Sequence, residues 1–451
     1  MHKKLLFTYI LFNALFCISQ NNAFKYVPEN KDSVISFVNS IYKKKITKLE
    51  SVAEKRSEFK KMMSERKDDF IKSINDSSYI FDKNISNYVK SVLVEIYKSN
   101  PQIDTHDFYF LISKSPIPNA ASYGNGIFVI NQGLFNFIDT DDEFASVLSH
   151  EISHFVLDHS DKSLLNRLST LNSKEVKSKI KAINKTEYGR RRAIADLTKT
   201  LSYNFLDRSR KDETQADSLG LIMLRKTHYN AMGSINSLRK LETIDSIIFN
   251  EDSKIKSHFN FENYPFKESW LMKDETLFDI KEKANDYAWD KDSIKTHPDI
   301  PLRIELLKKI IQDTTAISKS SPALDRVKKI AAENSITMYI DNSNLDFALY
   351  QTLILFNKNL IDEKTYCNNI CKLLRKTYEI KSNHTFGKYV GQISPFSDEK
   401  YLNDIKIFLN NIEIKNVRKI GYAFCEKYKA QMQQDPEFSS FQAFFEKLNT
   451  P

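Results

Sequence analysis

The spacing of hydrophobic and polar residues predicts a chain that is mostly helical. Residues 31 to 75 mix charged and apolar positions at helical intervals, which indicates one or two amphipathic helices. Another helix is predicted over residues 81 to 99, and helical patterns resume from about 163 to 247 and from 301 to the end. Glycine and proline, which break helices, number only 9 and 11.

Two short segments depart from the helical period and predict strands. Residues 107 to 113 (DFYFLIS) and 126 to 132 (GIFVINQ) are β-branched or aromatic runs, separated by the loop-like segment KSPIPNAASYGN. A helix starts soon afterwards, because Thr140 and Glu143 match the capping-box pattern. The sequence therefore predicts a mainly α fold with a small β-sheet, an α+β arrangement.

The first 19 residues have the pattern of a secretory signal peptide. Lys3 and Lys4 precede an apolar stretch from Leu5 to Ile18, and the small residue Ser19 follows. The stretch is shorter than the roughly 20 residues of a membrane span, although an uncleaved N-terminal membrane anchor is the alternative. We therefore expect an exported protein, periplasmic or extracellular.

The formal net charge of +9 does not indicate a nucleic-acid partner. Its carriers are mixed with acidic residues, as in KKKITKLESVAEKRSEFKK, which is typical of solvated helix faces. Peripheral contact with a membrane surface or an envelope protein is expected through the C-terminal helices. The three cysteines that follow the signal segment, Cys367, Cys371 and Cys425, match neither a disulfide framework nor a CxxC metal pair.

The pentapeptide HEISH, residues 150 to 154, is the first candidate for chemistry. Residues four apart on a helix share a face, so His150 and His154 are candidate ligands of one zinc ion. Glu151 is the candidate general base for a metal-activated water. The alternative is a buried helix with structural histidines, since both interpretations expect the apolar neighbours.

A catalytic zinc ion needs a third protein ligand and an open position. The segment SRKDETQADSLGLIML places Glu213 and Asp217 one helical turn apart beside apolar residues. We predict that Glu213 is the third ligand and that Asp217 accepts a hydrogen bond from a ligand histidine. His159, five residues after His154, lies on a different helical face and is assigned to the helix end.

Three motifs in this order, HEISH, DETQAD and HPDIPLR, resemble those of zinc metallopeptidases of the CAAX-protease and HtpX type. The resemblance covers roughly residues 80 to 310. It implies a zincin-like domain with one zinc ion per chain, bound by His150, His154 and Glu213, with Glu151 as the base.

The resemblance also implies a substrate-binding strand. The segment around Asn119 and the strand from Gly126 to Asn131 are similar to the family's edge strand beside the active site, where an extended peptide pairs by backbone hydrogen bonds. The implied contacts lie at Asn119 and Gly126, together with Ile127, Phe128 and Val129.

The third motif implies two further residues near the metal. His297 and Arg303 would contact the substrate or the oxyanion, or would only hold a loop and a helix start together. In some secreted members of this family the corresponding histidine occupies the open zinc position and keeps the enzyme latent.

Together these observations predict four segments and one main function. The segments are a signal peptide (1–19), a charged helical region (20–79), a zinc metallopeptidase domain (80–310) and a C-terminal helical region (311–451). For the last, a tetratricopeptide-like array is an alternative without a clear repeat period.

We expect a zinc endopeptidase that hydrolyses envelope or misfolded proteins. The alternative is a zinc-containing, latent or inactive protein-binding or chaperone-like module of the cell envelope.

Overall fold

The computed structural model describes residues 27–28, 30–50, 56–103, 108–185, 190–272, 299–311, 319–393 and 399–449. The predicted signal peptide and His297 lie outside these residues. The chain forms two compact units, residues 1–242 with 284–327 and residues 243–283 with 328–451. In the part of the chain that is described, no helix has the length and apolar character needed to cross a membrane.

The first unit is a small sheet surrounded by helices. Its helices are α1 (Lys31–Glu50), α2 (Arg56–Asn75), α3 (Lys83–Ser99), α4 (Gly133–Phe137), α5 (Asp141–Val156), α6 (His159–Asn172), α7 (Lys174–Lys185), α8 (Arg190–Leu224), α9 (Met232–Asn250) and α11 (Ile300–Ile310). Helix α9 continues past residue 242 into the second unit.

The sheet has four strands in the order β1-β2-β4-β3. These are β1 (Tyr79–Ile80), β2 (Tyr109–Ser113), β3 (Ala120–Ser122) and β4 (Ile127–Asn131). Strands β2 and β4 are parallel, whereas β1 and β3 pair antiparallel at the two edges. The two strands that the sequence predicts are confirmed. Strand β3 lies inside the segment that was predicted to be a loop. Its small residues lack the β-branched pattern by which strands are predicted, so the sequence did not indicate it.

The N-terminal helices α1 and α2 pack on one face of this sheet. Val38 of α1 and Phe59 of α2 are fully buried in one cluster with Leu111 of β2 and with Ile127 and Val129 of β4. Helices α1 and α2 of the N-terminal charged region therefore contribute to the core of the first unit.

The second unit is helical. It contains α10 (Ile255–His258), a 3₁₀ turn (Glu268–Leu271), α12 (Pro322–Asp341, whose first residues belong to the first unit), α13 (Leu345–Asn357), α14 (Glu363–Ser382), a 3₁₀ turn (Phe386–Lys388), α15 (Lys400–Asn411), α16 (Ile414–Met432) and α17 (Pro436–Asn449). A large apolar core joins them. Cys367, Cys371 and Cys425 are free and buried in it.

The predicted mainly α fold with a small sheet is confirmed. The predicted domain boundaries at 80 and 310 stay predictions. The packing places the described residues up to 75 in the first unit and residues 243 to 272 in the second.

Candidate metal centre

Helix α5 carries the HEISH motif and begins where the capping box predicts. The backbone N–H of Glu143 donates to Thr140 Oγ1 at 3.2 Å, and Glu143 Oε2 accepts from the backbone N–H of Asp139 at 2.7 Å. Lys240 of α9 also donates to this carboxylate at 2.7 Å. These bonds fix the helix start, and the motif follows in the helix interior.

Three potential ligand atoms converge between α5 and α8. Nε2 of His150 and Nε2 of His154 lie 3.0 Å apart, and Glu213 oxygens lie 3.5 Å from the first nitrogen and 3.4 Å from the second. Ligands about 2.0–2.1 Å from a tetrahedral zinc ion are separated by roughly 3.3 Å. The donor set and its spacing therefore fit a zinc ion, and all three residues are the predicted ligands.

A glycine allows α8 to approach α5 this closely. A Cβ atom at Gly220 would lie 3.1 Å from the backbone nitrogen of His150 and 3.2 Å from its Cα. Such contacts are tighter than ordinary van der Waals separation. Gly220 comes three residues after Asp217, so the position with no side chain and the two carboxylates lie on the same side of α8.

Asp217 holds His150 as the sequence predicts, and Arg303 in turn holds Asp217. His150 Nδ1 donates to Asp217 Oδ1 at 2.9 Å. Arg303 of α11 donates from Nε and Nη2 to the two oxygens of Asp217 at 2.6 and 2.8 Å. Its third nitrogen, Nη1, lies 2.9 Å from Glu213. Arg303 thus binds Asp217 in the bidentate geometry that arginine favours and forms an ion pair with Glu213.

The electrostatics of the centre favour positive charge. Burial alone would lower the pKa of His150, but its hydrogen bonds to Asp217 and Glu213 and their charges outweigh burial and raise the pKa to about 10. Burial would raise the pKa of Asp217, yet the hydrogen bonds from Arg303 and His150 lower it. Two carboxylates facing a buried space therefore stabilise a cation there.

Helix α11 is fixed against α8 by apolar packing and one ion pair. Ile300, Ile304 and Leu307 of α11 share a buried cluster with Leu221 of α8. Arg210 of α8 forms an ion pair with Asp299, at the start of α11, with Nε 3.0 Å from the carboxylate. This packing sets the position of Arg303, which is 3% exposed.

Two predicted catalytic residues differ in how the structure treats them. Glu151 follows His150 on α5 and is buried at 8% exposure. Burial would lower the pKa of Arg303, but the hydrogen bonds to Asp217 and the charges of Asp217, Glu213 and, least, Glu151 raise it. His297 lies outside the described residues, so its predicted place near the metal stays a prediction.

The prediction that the strand from Gly126 to Asn131 is the edge strand is wrong. Strand β4 lies between β2 and β3, and the side chains of Ile127, Phe128 and Val129 are buried at 7% exposure or less. The edge beside it is β3, after Asn119, whose carbonyl accepts from the N–H of Asn131 at 2.9 Å. An apolar run such as β4 indicates an inner strand. The small residues of β3 do not indicate a strand, so the actual edge strand was not predicted.

His159 contacts a candidate ligand in a way that its spacing in the sequence does not predict. Its Nδ1 lies 3.0 Å from Nδ1 of His154, and its Nε2 lies 3.1 Å from Oε1 of Gln215. His159 lies at a helix end as predicted, since it begins α6 after a break at Asp158, but its contact with His154 was not predicted. Helical spacing alone cannot reveal a contact that depends on such a break.

Comparisons with known proteins agree with this geometry. Residues 84–311 match the sequence profile described as Peptidase family M48. The range includes all the described residues of the candidate centre.

The chain is similar to several proteins named "Beta-barrel assembly-enhancing protease". The one from Yersinia pestis is 23% identical over 224 residues, covering 49% of this chain and 41% of the relative. The one from Escherichia coli (strain K12) is 24% identical over 165 residues, covering 36% of this chain and 34% of the relative. The chain therefore spans less than half the length of these relatives.

Proposed function

Because the chain belongs to peptidase family M48, we propose that it is a zinc-dependent endopeptidase. The observation that carries the proposal is the convergence of His150, His154 and Glu213, whose potential ligand atoms lie within 4.8 Å of one another. Each candidate ligand also contacts a second polar side chain: His150 contacts Asp217, His154 contacts His159, and Glu213 contacts Arg303.

His150, His154 and Glu213 would hold the zinc ion. When bound, zinc acts as a Lewis acid towards the peptide carbonyl and acidifies a water molecule. Glu151 accepts a proton from the attacking water and later delivers it to the leaving amine. Arg303 lowers the pKa of Asp217, and the Asp217 carboxylate holds the proton of His150 on Nδ1, so that the lone pair of Nε2 is directed inward.

The substrate would pair with β3. Asn119 and Tyr123 form backbone hydrogen bonds to β4, and alternation along an antiparallel strand turns the backbone groups of Ala120 and Ser122 outward. Ser160 of α6 donates to the Ser122 carbonyl at 3.0 Å. The outward N–H and C=O of Ala120 then form the docking point for an extended peptide.

A short docking edge that forms hydrogen bonds only with the backbone of a peptide accepts unfolded chains of many sequences. We therefore propose unfolded or misfolded proteins as the substrate class. The names of the relatives concern the assembly of β-barrels, which favours proteins of the cell envelope. Export through the segment 1–19 places the enzyme in the same compartment, and N-terminal sequencing of the mature protein tests that step.

Cleavage of unfolded casein by the zinc-loaded full chain tests the proposal. Wild type should cleave, and Glu151→Gln should lose at least about a hundredfold in rate, since general-base catalysis contributes about 10²–10⁴. The matched control is Glu175→Gln, which changes an exposed glutamate on α7 whose side chain pairs with Lys179. It should retain the wild-type rate.

His297→Ala separates a latent enzyme from a module that only binds. Cleavage that appears or rises in His297→Ala and disappears when Glu151→Gln is added indicates a latent peptidase. Zinc binding without cleavage in wild type and in His297→Ala contradicts peptidase activity and favours the protein-binding alternative.

A further inference from the structure

The way in which helix α5 ends brings His159, three residues later, into contact with the metal centre. In a continuous helix His159 would be rotated roughly 140° from His154, since each residue turns about 100°. Instead α5 ends at Val156, and Asp158 adopts the left-handed conformation with φ 57°, which aspartate tolerates better than most residues. The imidazole of His159, 4% exposed, consequently contacts His154 from behind.

The hydrogen bonds of this contact have only one arrangement compatible with a metal. His154 must keep the lone pair of Nε2 for the ion, so its proton is on Nδ1. Nδ1 of His159, 3.0 Å away, must then be the acceptor. A neutral imidazole that accepts at Nδ1 carries its proton on Nε2.

The surroundings of His159 Nε2 select that tautomer. Gln215 Oε1 lies 3.1 Å from it and an Asp212 oxygen lies 3.7 Å from it. A carboxylate oxygen only accepts hydrogen bonds, so a protonated Nε2 is favoured at this place even though either end of the Gln215 amide could face it. The chain of donors therefore runs from His154 Nδ1 to His159 and from His159 Nε2 to Gln215.

We propose that His159 is a positioning residue that fixes the tautomer and orientation of His154. The proposal rests on the proposed zinc site, but it does not depend on peptide cleavage. The two ligand histidines are thus oriented differently, His150 by the carboxylate of Asp217 and His154 by a neutral imidazole. The start of α6 also contacts the edge strand through Ser160, so one helix end supports both the metal centre and the docking edge.

The test is zinc affinity of the full chain, measured by competition with a chelating dye in the absence of peptide. His159→Leu removes the acceptor and should weaken zinc binding by about 10- to 100-fold, the usual effect of losing such a partner. His159→Asn keeps an oxygen acceptor close to the former Nδ1 and should restore most of the affinity. The visible spectrum of the Co²⁺-loaded chain should shift in His159→Leu and return towards wild type in His159→Asn.

The matched control is His258→Leu. His258 is another buried histidine with two partners, Tyr366 and Asn357, but it belongs to the second unit. This exchange should lower stability and leave zinc affinity unchanged. Wild-type zinc affinity in folded His159→Leu would overturn the proposal.

If His159→Leu does not fold, substitutions of Gln215 provide the test, because this residue is exposed and its replacement should not disturb folding. Gln215→Leu should weaken zinc binding, and Gln215→Glu, which keeps an acceptor, should not. Unchanged affinity in Gln215→Leu would overturn the proposed relay. Wild type that binds zinc and cleaves nothing would contradict the proposed function alone and would leave the role of His159 intact.

Discussion

At the scale of single residues, the centre depends on Arg303 as the counter-charge of two buried carboxylates. Three of its nitrogens lie within 2.9 Å of oxygens of Asp217 or Glu213. Removing one partner of a buried ion pair leaves an uncompensated charge and costs about 3–5 kcal/mol. Zinc provides a replacement charge beside Glu213, so the cost should depend on whether the metal is bound.

Arg303→Met should accordingly lower the free energy of unfolding of the first unit by about 3–5 kcal/mol without metal, and by less with saturating zinc. Urea denaturation in chelator and in zinc measures both. The control is Arg210→Met, which breaks the half-exposed pair with Asp299 and should cost about 1 kcal/mol or less. An equal loss for Arg303→Met in both conditions would contradict a charge-compensating role.

The residues that the sequence predicts best are those whose geometry one helix fixes. His150, His154 and Glu151 share α5, and Glu213 and Asp217 share α8, so regular spacing implies their relation. The contacts of Arg303 and His159 depend on how separate elements cross. Their spacing in the sequence therefore carries no such information, and the resemblance that implied Arg303 left its contacts open.

At the scale of elements, the crossing of α5 and α8 depends on Gly220. Alanine there gains up to about 1 kcal/mol of helix propensity, but its Cβ meets the His150 backbone at 3.1–3.2 Å and overpacking costs about 1–3 kcal/mol. We expect Gly220→Ala to destabilise the first unit by up to about 2 kcal/mol and to weaken zinc binding. Chelator competition measures the second effect.

Gly387→Ala is the control for this exchange, because a Cβ at Gly387 meets no atom within 4 Å. It should leave zinc affinity unchanged. Full zinc affinity in Gly220→Ala would show that the helices can separate without disturbing the ligands.

A second element-scale prediction concerns α10 and its packing against α13 and α14. His258 lies between Tyr366 and Asn357, and burial, assisted by Lys427 and Lys254, lowers its pKa although Asn357 opposes the shift. Below the ordinary value of 6.5 the unfolded chain binds a proton at His258 that the folded chain does not. The free energy of unfolding of the second unit should therefore decrease as the pH is lowered from 6.5 to the pKa of His258 in the folded chain. The decrease should reach up to about 1.4 kcal/mol per pH unit.

Urea unfolding followed by Trp270 fluorescence at pH 7.5 and 5.5 measures this slope, because Trp270 is buried in the second unit's core. His258→Gln should flatten it. His384→Gln, at an exposed position of the same unit, is the matched control. A slope that persists in His258→Gln would assign the pH dependence to other groups.

The sequence predicts elements well where the apolar period is strong and less well where packing decides. Strands β2 and β4 and the capped start of α5 follow from their patterns. Strand β3 is held by pairing with β4 and has little strand propensity of its own. The packing of α1 and α2 on the sheet is likewise a tertiary contact, which an amphipathic pattern predicts only as an apolar face without a named partner.

At the scale of the whole molecule, all the described candidate ligands and their supporting residues belong to the first unit. Ligand binding stabilises only the structure that forms the site. Removal of zinc should therefore increase hydrogen exchange in α5 and the C-terminal part of α8 and leave α14 of the second unit unchanged. Exchange mass spectrometry with and without chelator measures this, and an equal increase in α14 would contradict it.

The most direct test of the central claim is zinc content of the purified full chain after dialysis against metal-free buffer. About one zinc ion per chain is expected in wild type and in Glu151→Gln, because Glu151 serves as the base and not as a ligand. Glu213→Ala should lose most of the metal, since two histidines remain. Wild type without zinc, or Glu213→Ala with a full complement, would contradict the metal centre on which the proposed peptidase depends.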